Sequence, residues 1–182
     1  MVLRDIDLLK NIKNIKVGLS LNTLDDNFRK QTEPFASSIS RRIEALKILK
    51  SEGVTTYLFM SPIFPMLTNF VEIIEHTREY FDYVCFENLN LRGAYLPRVL
   101  DFIRDYYPEH FGVYDSIYRS KNMSYWEEMK ESISSYCSSN DVPYRIYFYH
   151  DLIKKKANEK KQTILQHNFY VIGIQYDFLK ND

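Results

Sequence analysis

The stretch of residues 54–65 reads VTTYLFMSPIFP and gives the clearest indication of the fold. Its first part, Val54–Met60, is rich in β-branched, aromatic and other apolar side chains, a composition typical of a buried strand. Gly53 stands immediately before this run, and Ser61–Pro65 follows it with two prolines. The pattern predicts a buried strand that follows a helix closed by a glycine and leads into a stiff loop.

Similar short apolar runs lie on either side of this stretch in the sequence. Residues 15–21 form one run, which ends at Asn22-Thr23, and Tyr83–Phe86 forms another. Helical patterns lie between and after these runs: from Thr23 to about Lys30, over Ile39–Leu49, after a cap formed by Asn69 with Glu72, and over Ala94–Tyr106. The alternation of strands and helices predicts an α/β fold with parallel strands and crossover helices.

Beyond Pro108 the pattern becomes less regular. The segment His110–Lys121 is aromatic, and its spacing indicates no regular element. The remaining predicted elements are a helix opening at Ser124 with Trp126, Met129, Ile133 and Tyr136 inward, a strand over Arg145–His150, a Lys-rich helix over Asp151–Gln162 and a last strand over Phe169–Ile174. We expect a single domain with a C-terminal elaboration.

Charge and hydropathy argue against several classes of protein. The 24 basic residues balance 24 acidic residues among 182, so the chain lacks the basic excess of most nucleic-acid-binding proteins. A lysine run at Lys154–Lys156 with Lys160 and Lys161 is the only local basic feature that stands out, and it is typical of a solvated helix face. The sequence contains neither a long uncharged apolar run nor a signal-peptide pattern, so a cytoplasmic location is expected.

The two cysteines and four histidines indicate no metal cluster. Cys85 and Cys137 lie far apart and are not in a CxxC arrangement, and the histidines form no closely spaced pair. A disulfide scaffold is therefore not expected, and no metal ligand is assigned within the chain. Because Cys85 lies inside an apolar strand, we predict that it is a small buried side chain.

Polar side chains follow each of the three predicted strands. They lie in Ser20–Thr23, Ser61-Pro62 and Glu87–Asn90. In parallel α/β sheets, ligands bind at the carboxyl ends of the strands, and these hydroxyls, amides and one carboxylate suit a ribose, an amino acid or another small polar ligand. The alternative is that the same residues only cap helices and turns.

Residues 17–92 resemble the second half of the barrel of radical S-adenosylmethionine (SAM) enzymes, in the branch related to spore photoproduct lyase. The segments that carry the resemblance are Val17–Thr23, Glu33-Pro34, Arg42–Leu46, Gly53, Ser61–Pro65 and Phe86–Arg92. The implied fold is the C-terminal half of a partial (β/α) TIM-like barrel over 1–107, with a mixed α+β extension over 108–182 packed on it. Leu3–Leu9 is similar to the helix that precedes the fourth barrel strand.

The resemblance implies a [4Fe–4S] cluster and SAM as cofactors, with SAM cleavage producing a radical that abstracts hydrogen from the substrate. Members of the family hold the cluster with a CxxxCxxC motif, which this sequence lacks. The chain is therefore interpreted as the C-terminal portion of such an enzyme, inactive alone. It would be a truncated chain, the product of a fragmentary gene or a degenerate relative.

Individual site residues carry over from the family by position. The resemblance assigns Ser20, Asn22, Arg42, Ser61 and Pro62 to SAM, and Glu87 and Asn90 to the substrate. Arg42 has two possible partners, the SAM carboxylate or Glu33. Glu87 has a structural alternative, as a partner of Arg92 or of a helix N-terminus.

A second function is a non-enzymatic α/β half-barrel module that binds a partner or a small ligand. A barrel that begins at its fourth strand exposes an apolar edge at Val17–Leu21, which invites pairing with a missing N-terminal barrel half or a second copy of the chain. A stand-alone module should cover that edge, by dimerisation or with its own strand near Phe169–Ile174. Nucleic-acid binding through the lysine run is the weakest of the three interpretations.

Overall fold

The computed structural model describes residues 2–91 and 93–148, together with the backbone of residues 170–171. These residues contain five strands, which are β1 (Lys16–Ser20), β2 (Thr55–Ile63), β3 (Tyr83–Asn88), β4 (Tyr144–Ile146) and β5 (Tyr170–Val171). The strands form one parallel sheet in the order β4-β3-β2-β1-β5. The predicted α/β class is thus confirmed.

Seven α-helices accompany the sheet within the described residues. They are α1 (Ile6–Lys10), α2 (Asp26–Thr32), α3 (Ile39–Ser51), α4 (Phe70–Thr77), α5 (Tyr95–Tyr106), α6 (Phe111–Tyr118) and α7 (Ser124–Ser139). Short 3₁₀ turns precede α1 and α6 and follow α4. In the part of the chain that the structure describes, no helix has the length and apolar character needed to cross a bilayer.

The helix boundaries follow the predicted caps with two corrections. Helix α3 leads to Gly53 at φ +77°, and Asn69 caps α4 by accepting a hydrogen bond from the Glu72 amide, both as predicted. Helix α2 is capped by Asp25 rather than by Thr23, whose hydroxyl instead accepts from the Asp25 amide. Helix α7 has no side-chain cap, because Ser124 already lies within the helix.

Strand β2 is longer than the sequence predicts. Ser61 and Pro62, expected in a loop, lie within the strand, which continues to Ile63. The pairing with β3 shifts register between Met60 and Ile63, where β2 contains one residue more than its partner. The shift accommodates a proline, which has no amide hydrogen to donate to the ladder.

The C-terminal region contributes to the same sheet and core. The segment expected to be irregular forms α6, in which Tyr114 and Ile117 are buried. Strand β4 is shorter than predicted and ends at Ile146. The predicted Lys-rich helix over 151–162 lies outside the described residues. Of the last predicted strand, only the two residues of β5 are described, and they pair with Val17 and Gly18 of β1.

The described helices α2 to α7 pack on one face of the sheet. Strands β2 and β3 contribute Leu58, Met60, Val84 and Phe86 to this core, and none of the four is measurably exposed. Each of the six helices buries at least one side chain in the same cluster. A sheet with sequential parallel strands and helices on one face has its other face available for a different role.

We call that other face of the sheet the second face. Because side chains alternate along a strand, it is formed by the residues between the core positions. They are Lys16, Gly18 and Ser20 in β1, Thr55, Tyr57, Phe59 and Ser61 in β2, Tyr83, Cys85 and Glu87 in β3, and Arg145 in β4, with Tyr147 beyond the end of β4. Its character changes from aromatic and basic at the amino-terminal end to hydroxyl and carboxylate groups at the carboxyl end.

A glycine is required at position 18 because the Tyr57 ring lies directly on its backbone. A Cβ placed on Gly18 would lie 2.2 Å from Tyr57 Cζ and 2.6 Å from the tyrosine hydroxyl oxygen. Tyr57 is itself buried, at 2% exposure. The two residues are register partners, so the small side chain in β1 creates the space that the large one in β2 occupies.

The substitution Gly18→Ala should destabilise the fold by about 1–3 kcal/mol, because the ring cannot move without disturbing a packed sheet. Urea unfolding measures this, with Gly112→Ala as the matched control, since a Cβ there meets open space. The control should be neutral or stabilise by about 0.4–1 kcal/mol. A Tyr57→Ala background should remove the Gly18→Ala penalty. Equal effects of the two glycine substitutions would contradict the packing argument.

Candidate ligand-binding site at the carboxyl edge of the sheet

Three polar side chains from neighbouring strands are linked at the carboxyl edge of the second face. The Ser20 hydroxyl donates to the Ser61 carbonyl oxygen at 3.0 Å. The Ser61 hydroxyl in turn donates to Glu87 Oε2 at 2.5 Å. We call Ser20, Ser61 and Glu87 the strand-end ladder. It joins the ends of β1, β2 and β3, so residues distant in sequence form one polar surface.

A buried ion pair fixes the end of β1 behind this ladder. Arg42 Nη2 contacts Glu33 Oε2, and the side chains are 6% and 4% exposed. The same guanidinium donates to the Ser20 carbonyl at 3.0 Å through Nη1 and to the Ser37 carbonyl at 3.0 Å through Nε. Of the two partners predicted for Arg42, the structure therefore provides Glu33. Arg42 thereby holds the Ser20 backbone at the end of β1.

A pocket of about 300 Å³ opens next to the ladder. Its lining includes Ser61, Pro62 and Glu87 at the strand ends and Asn88–Leu91 in the loop that follows β3. Tyr95 and Val99 of α5 complete the wall. The pocket combines a carboxylate and amides with an apolar wall, which is the usual composition of a small-molecule site.

Four of the predicted site residues line the pocket, namely Ser61, Pro62, Glu87 and Asn90. Ser20 does not line it but is joined to Ser61 and Glu87 in the ladder. Asn22 lies at the end of β1, is only 1% exposed and does not line the pocket.

The sequence pattern does not single out the apolar wall of the pocket. Tyr95 and Val99 fall within the predicted helix over Ala94–Tyr106, and Leu89 and Leu91 fall within the stretch Phe86–Arg92 that carries the resemblance. The available signal was their position, because α5 begins directly after the third polar strand end. Tyr118, in the segment expected to be irregular, supports this wall by donating its hydroxyl to the Leu89 carbonyl at 2.8 Å.

The described residues do not fit an iron–sulfur cluster. Within residues 2–91 and 93–148, no group of three or more His, Cys, Asp or Glu side chains could hold a metal ion. Cys85 and Cys137 are buried in different elements, and burial raises the pKa of each thiol to about 11. Because thiolates are the ligands of such clusters, neither thiol is prepared for ligation.

Comparison with known proteins gives a relative but no activity. No protein-family model matches the sequence, and no solved structure matches it. The uncharacterized protein MJ0683 of Methanocaldococcus jannaschii is 38% identical over 113 residues, which are 62% of this chain and 43% of that protein. The chain thus spans less than half the length of this relative.

Removing the Arg42 guanidinium should leave the Glu33 carboxylate buried without its ion partner. We expect Arg42→Met to lower the free energy of unfolding by about 3–5 kcal/mol. The control is Arg41→Met, one position earlier on the exposed side of α3, which should change stability by less than about 0.5 kcal/mol. Urea titration of both variants tests this, and similar losses in the two would show that the buried pair has no special role.

The raised thiol pKa values predict slow alkylation of the folded chain. Moving the pKa from 9 to about 11 lowers the thiolate fraction at pH 8 by about a hundredfold, and the thiolate is the reactive form. Iodoacetamide should therefore modify the native chain far more slowly than the urea-unfolded chain. Cys85→Ala and Cys137→Ala report each thiol separately. Rapid reaction of either thiol in the native chain would contradict the assignment.

Proposed function

We propose that this chain is the C-terminal portion of a radical SAM enzyme and that the carboxyl edge of its sheet forms part of the SAM and substrate site. The observation that carries the proposal is the strand-end ladder, since Ser20, Ser61 and Glu87 are all residues that the resemblance assigns to ligands. Three such residues, from three separate strands, meet through two hydrogen bonds. If these residues only capped helices and turns, their side chains would not need to contact one another.

The topology supports a half-barrel as the scaffold for this site. Strands β1 to β4 are adjacent in chain order and parallel, and helices α2 to α7 pack on one face. That arrangement is the one found in (β/α) barrels, whereas doubly wound sheets carry helices on both faces. In such a barrel the second face is the interior, and ligands bind at its carboxyl end.

The residues of the ladder suit the polar groups of SAM and of a substrate. The hydroxyls of Ser20 and Ser61 are suited to hydrogen bonding with ribose or carboxylate oxygens. Glu87 and Asn90 belong to the pocket beside the ladder, where a carboxylate and an amide can orient a polar substrate. When bound with its cluster, SAM supplies the radical chemistry, and the protein contributes binding, orientation and exclusion of water.

The cluster would have to be held by residues outside this chain, because the described cysteines do not fit it. We assign that role to an N-terminal barrel half, encoded upstream or supplied by another chain, which would take the place of β5 beside β1. The length of the relative supports this arrangement. The match covers 43% of that protein, so more than half of it has no counterpart in this chain. The chain alone is then expected to be catalytically inactive.

The test is SAM binding by the 182-residue chain, measured by isothermal titration calorimetry. Ser61→Ala should weaken binding by about tenfold, because it removes the hydroxyl that links β2 to Glu87 and that is available to hydrogen-bond a bound ligand. Ser138→Ala, an exposed serine in α7, is the matched control and should bind like the unmodified chain. The two variants should have similar unfolding midpoints in the absence of SAM.

Two results would contradict the proposal. One is the absence of SAM binding by a folded chain, and the other is a Ser61→Ala variant that binds as well as the control. The DNA upstream of the Met1 codon provides an independent check. An in-frame extension encoding CxxxCxxC supports the enzyme, whereas a stop codon without a nearby cysteine triad removes the enzymatic role of this chain.

A specific observation favours a second candidate function, the non-enzymatic half-barrel module. Strand β5 pairs with β1 at Val17 and Gly18, which is the edge that an N-terminal barrel half would otherwise occupy. A chain that covers its own edge has less need of a partner strand. For this module the 300 Å³ pocket would bind a small ligand other than SAM.

A further inference from the structure

We propose that the amino-terminal half of the second face binds an oxyanion, a carboxylate or a phosphate, between Lys16, Tyr57, Tyr83 and Arg145. This site lies on the same face as the strand-end ladder but at the opposite end of the strands. It involves none of the residues assigned to SAM or the substrate. The inference therefore stands independently of the proposed function.

Two tyrosine hydroxyls on this face have no partner among the described residues. The rings of Tyr57 and Tyr83 stack with their centroids 5.1 Å apart and 12° between their planes. Both hydroxyl oxygens are buried without a hydrogen bond. The whole Tyr57 residue is only 2% exposed. Buried polar atoms in folded proteins are nearly always paired, so two adjacent unpaired hydroxyls point to an absent partner.

The hydroxyls would act as donors to that partner. Burial raises the pKa of Tyr57 to about 12 and raises the pKa of Tyr83 as well, so both side chains keep their protons at neutral pH. The thiol of nearby Cys85 also stays neutral, with a pKa of about 11. A partner that accepts two O–H bonds without donating is best matched by an anionic oxygen.

Two cations lie beside the Tyr83 ring. Lys16 Nζ is 5.7 Å from the centre of the Tyr83 ring, and the Arg145 guanidinium carbon is 5.2 Å from that centre. The carboxylate that the described strands β1 to β4 place on this face is Glu87, which bonds Ser61 at the far end. Positive charge and neutral donors thus meet at one end, so an anion is favoured there and a cation is not.

The oxyanion can come from two sources that share this chemistry. One is a free anion, for which inorganic phosphate is the probe. The other is a carboxylate side chain on a polypeptide strand, for which the probe is acetyl-Val-Glu-Val-amide, with acetyl-Val-Gln-Val-amide as its uncharged counterpart. Titration of the 182-residue chain labelled with ¹³C at tyrosine Cζ follows the hydroxyls directly by NMR.

Three variants test the contribution of the hydroxyls. Tyr57→Phe and Tyr83→Phe each remove one hydroxyl and keep the ring, and each should weaken binding of the successful probe about tenfold. Tyr144→Phe is the matched control, since Tyr144 of β4 packs against the core on the helix face. Because the hydroxyls of Tyr57 and Tyr83 are unpaired in the free chain, both variants should fold with an unchanged or higher melting temperature.

Binding of phosphate supports a free anion, binding of the Glu peptide but not the Gln peptide supports a strand carboxylate, and in either case only the two second-face variants should be impaired. The proposal is overturned if neither probe binds, or if Tyr57→Phe and Tyr83→Phe bind like Tyr144→Phe, which would indicate attraction to surface lysines alone. SAM titration of the same variants should be unchanged, so failure here is distinguishable from failure of the proposed function.

Discussion

The guanidinium of Arg42 connects three segments that would otherwise be independent. It pairs with Glu33 in the segment after α2, donates to the Ser37 carbonyl just before α3, and donates to the Ser20 carbonyl at the end of β1. A buried charge is costly unless it is paired and hydrogen-bonded, and here each of the three nitrogens has a protein acceptor. The position of the first strand end therefore depends on one side chain from a helix.

The strand-end ladder depends on that anchor. Ser20 donates to the backbone of Ser61, and Ser61 donates to Glu87, so a shift of β1 would be transmitted across the edge. The register change in β2 sets the height of Ser61 relative to Glu87. Packing, strand pairing and a buried ion pair together produce the polar edge that the proposed function uses. Away from this edge, the second face is closely packed where the Tyr57 ring contacts Gly18.

Much of the fold could be predicted from local signals. The strand at 54–60 follows from its composition, α3 ends where Gly53 provides a positive φ, and Asn69 caps α4 with its own side chain. Helix α6 was missed, since Phe111 and Tyr114 belong to residue types with modest helix propensity and the helix is stabilised by burial of Tyr114 in the core.

The site was predictable as a set of strand ends but not as a set of contacts. Parallel strands bring Ser20, Ser61 and Glu87 to one edge, which the order of elements indicates. The pairing of Arg42 with Glu33 depends on the path of the chain between α2 and α3, which the sequence does not reveal. Similarly, the unpaired hydroxyls of Tyr57 and Tyr83 are invisible in the sequence, where both residues count only as aromatic strand formers.

The most direct measurement of SAM binding through Ser20 and Ser61 of the strand-end ladder is the map of backbone amide chemical shifts in the ¹⁵N-labelled 182-residue chain as SAM is added. We expect shifts centred on Ser20 and Ser61, extending to neighbouring Glu87 and the loop that follows β3, with little change at α7 on the helix face. Shifts confined to other surfaces, or none at saturating SAM, would contradict it.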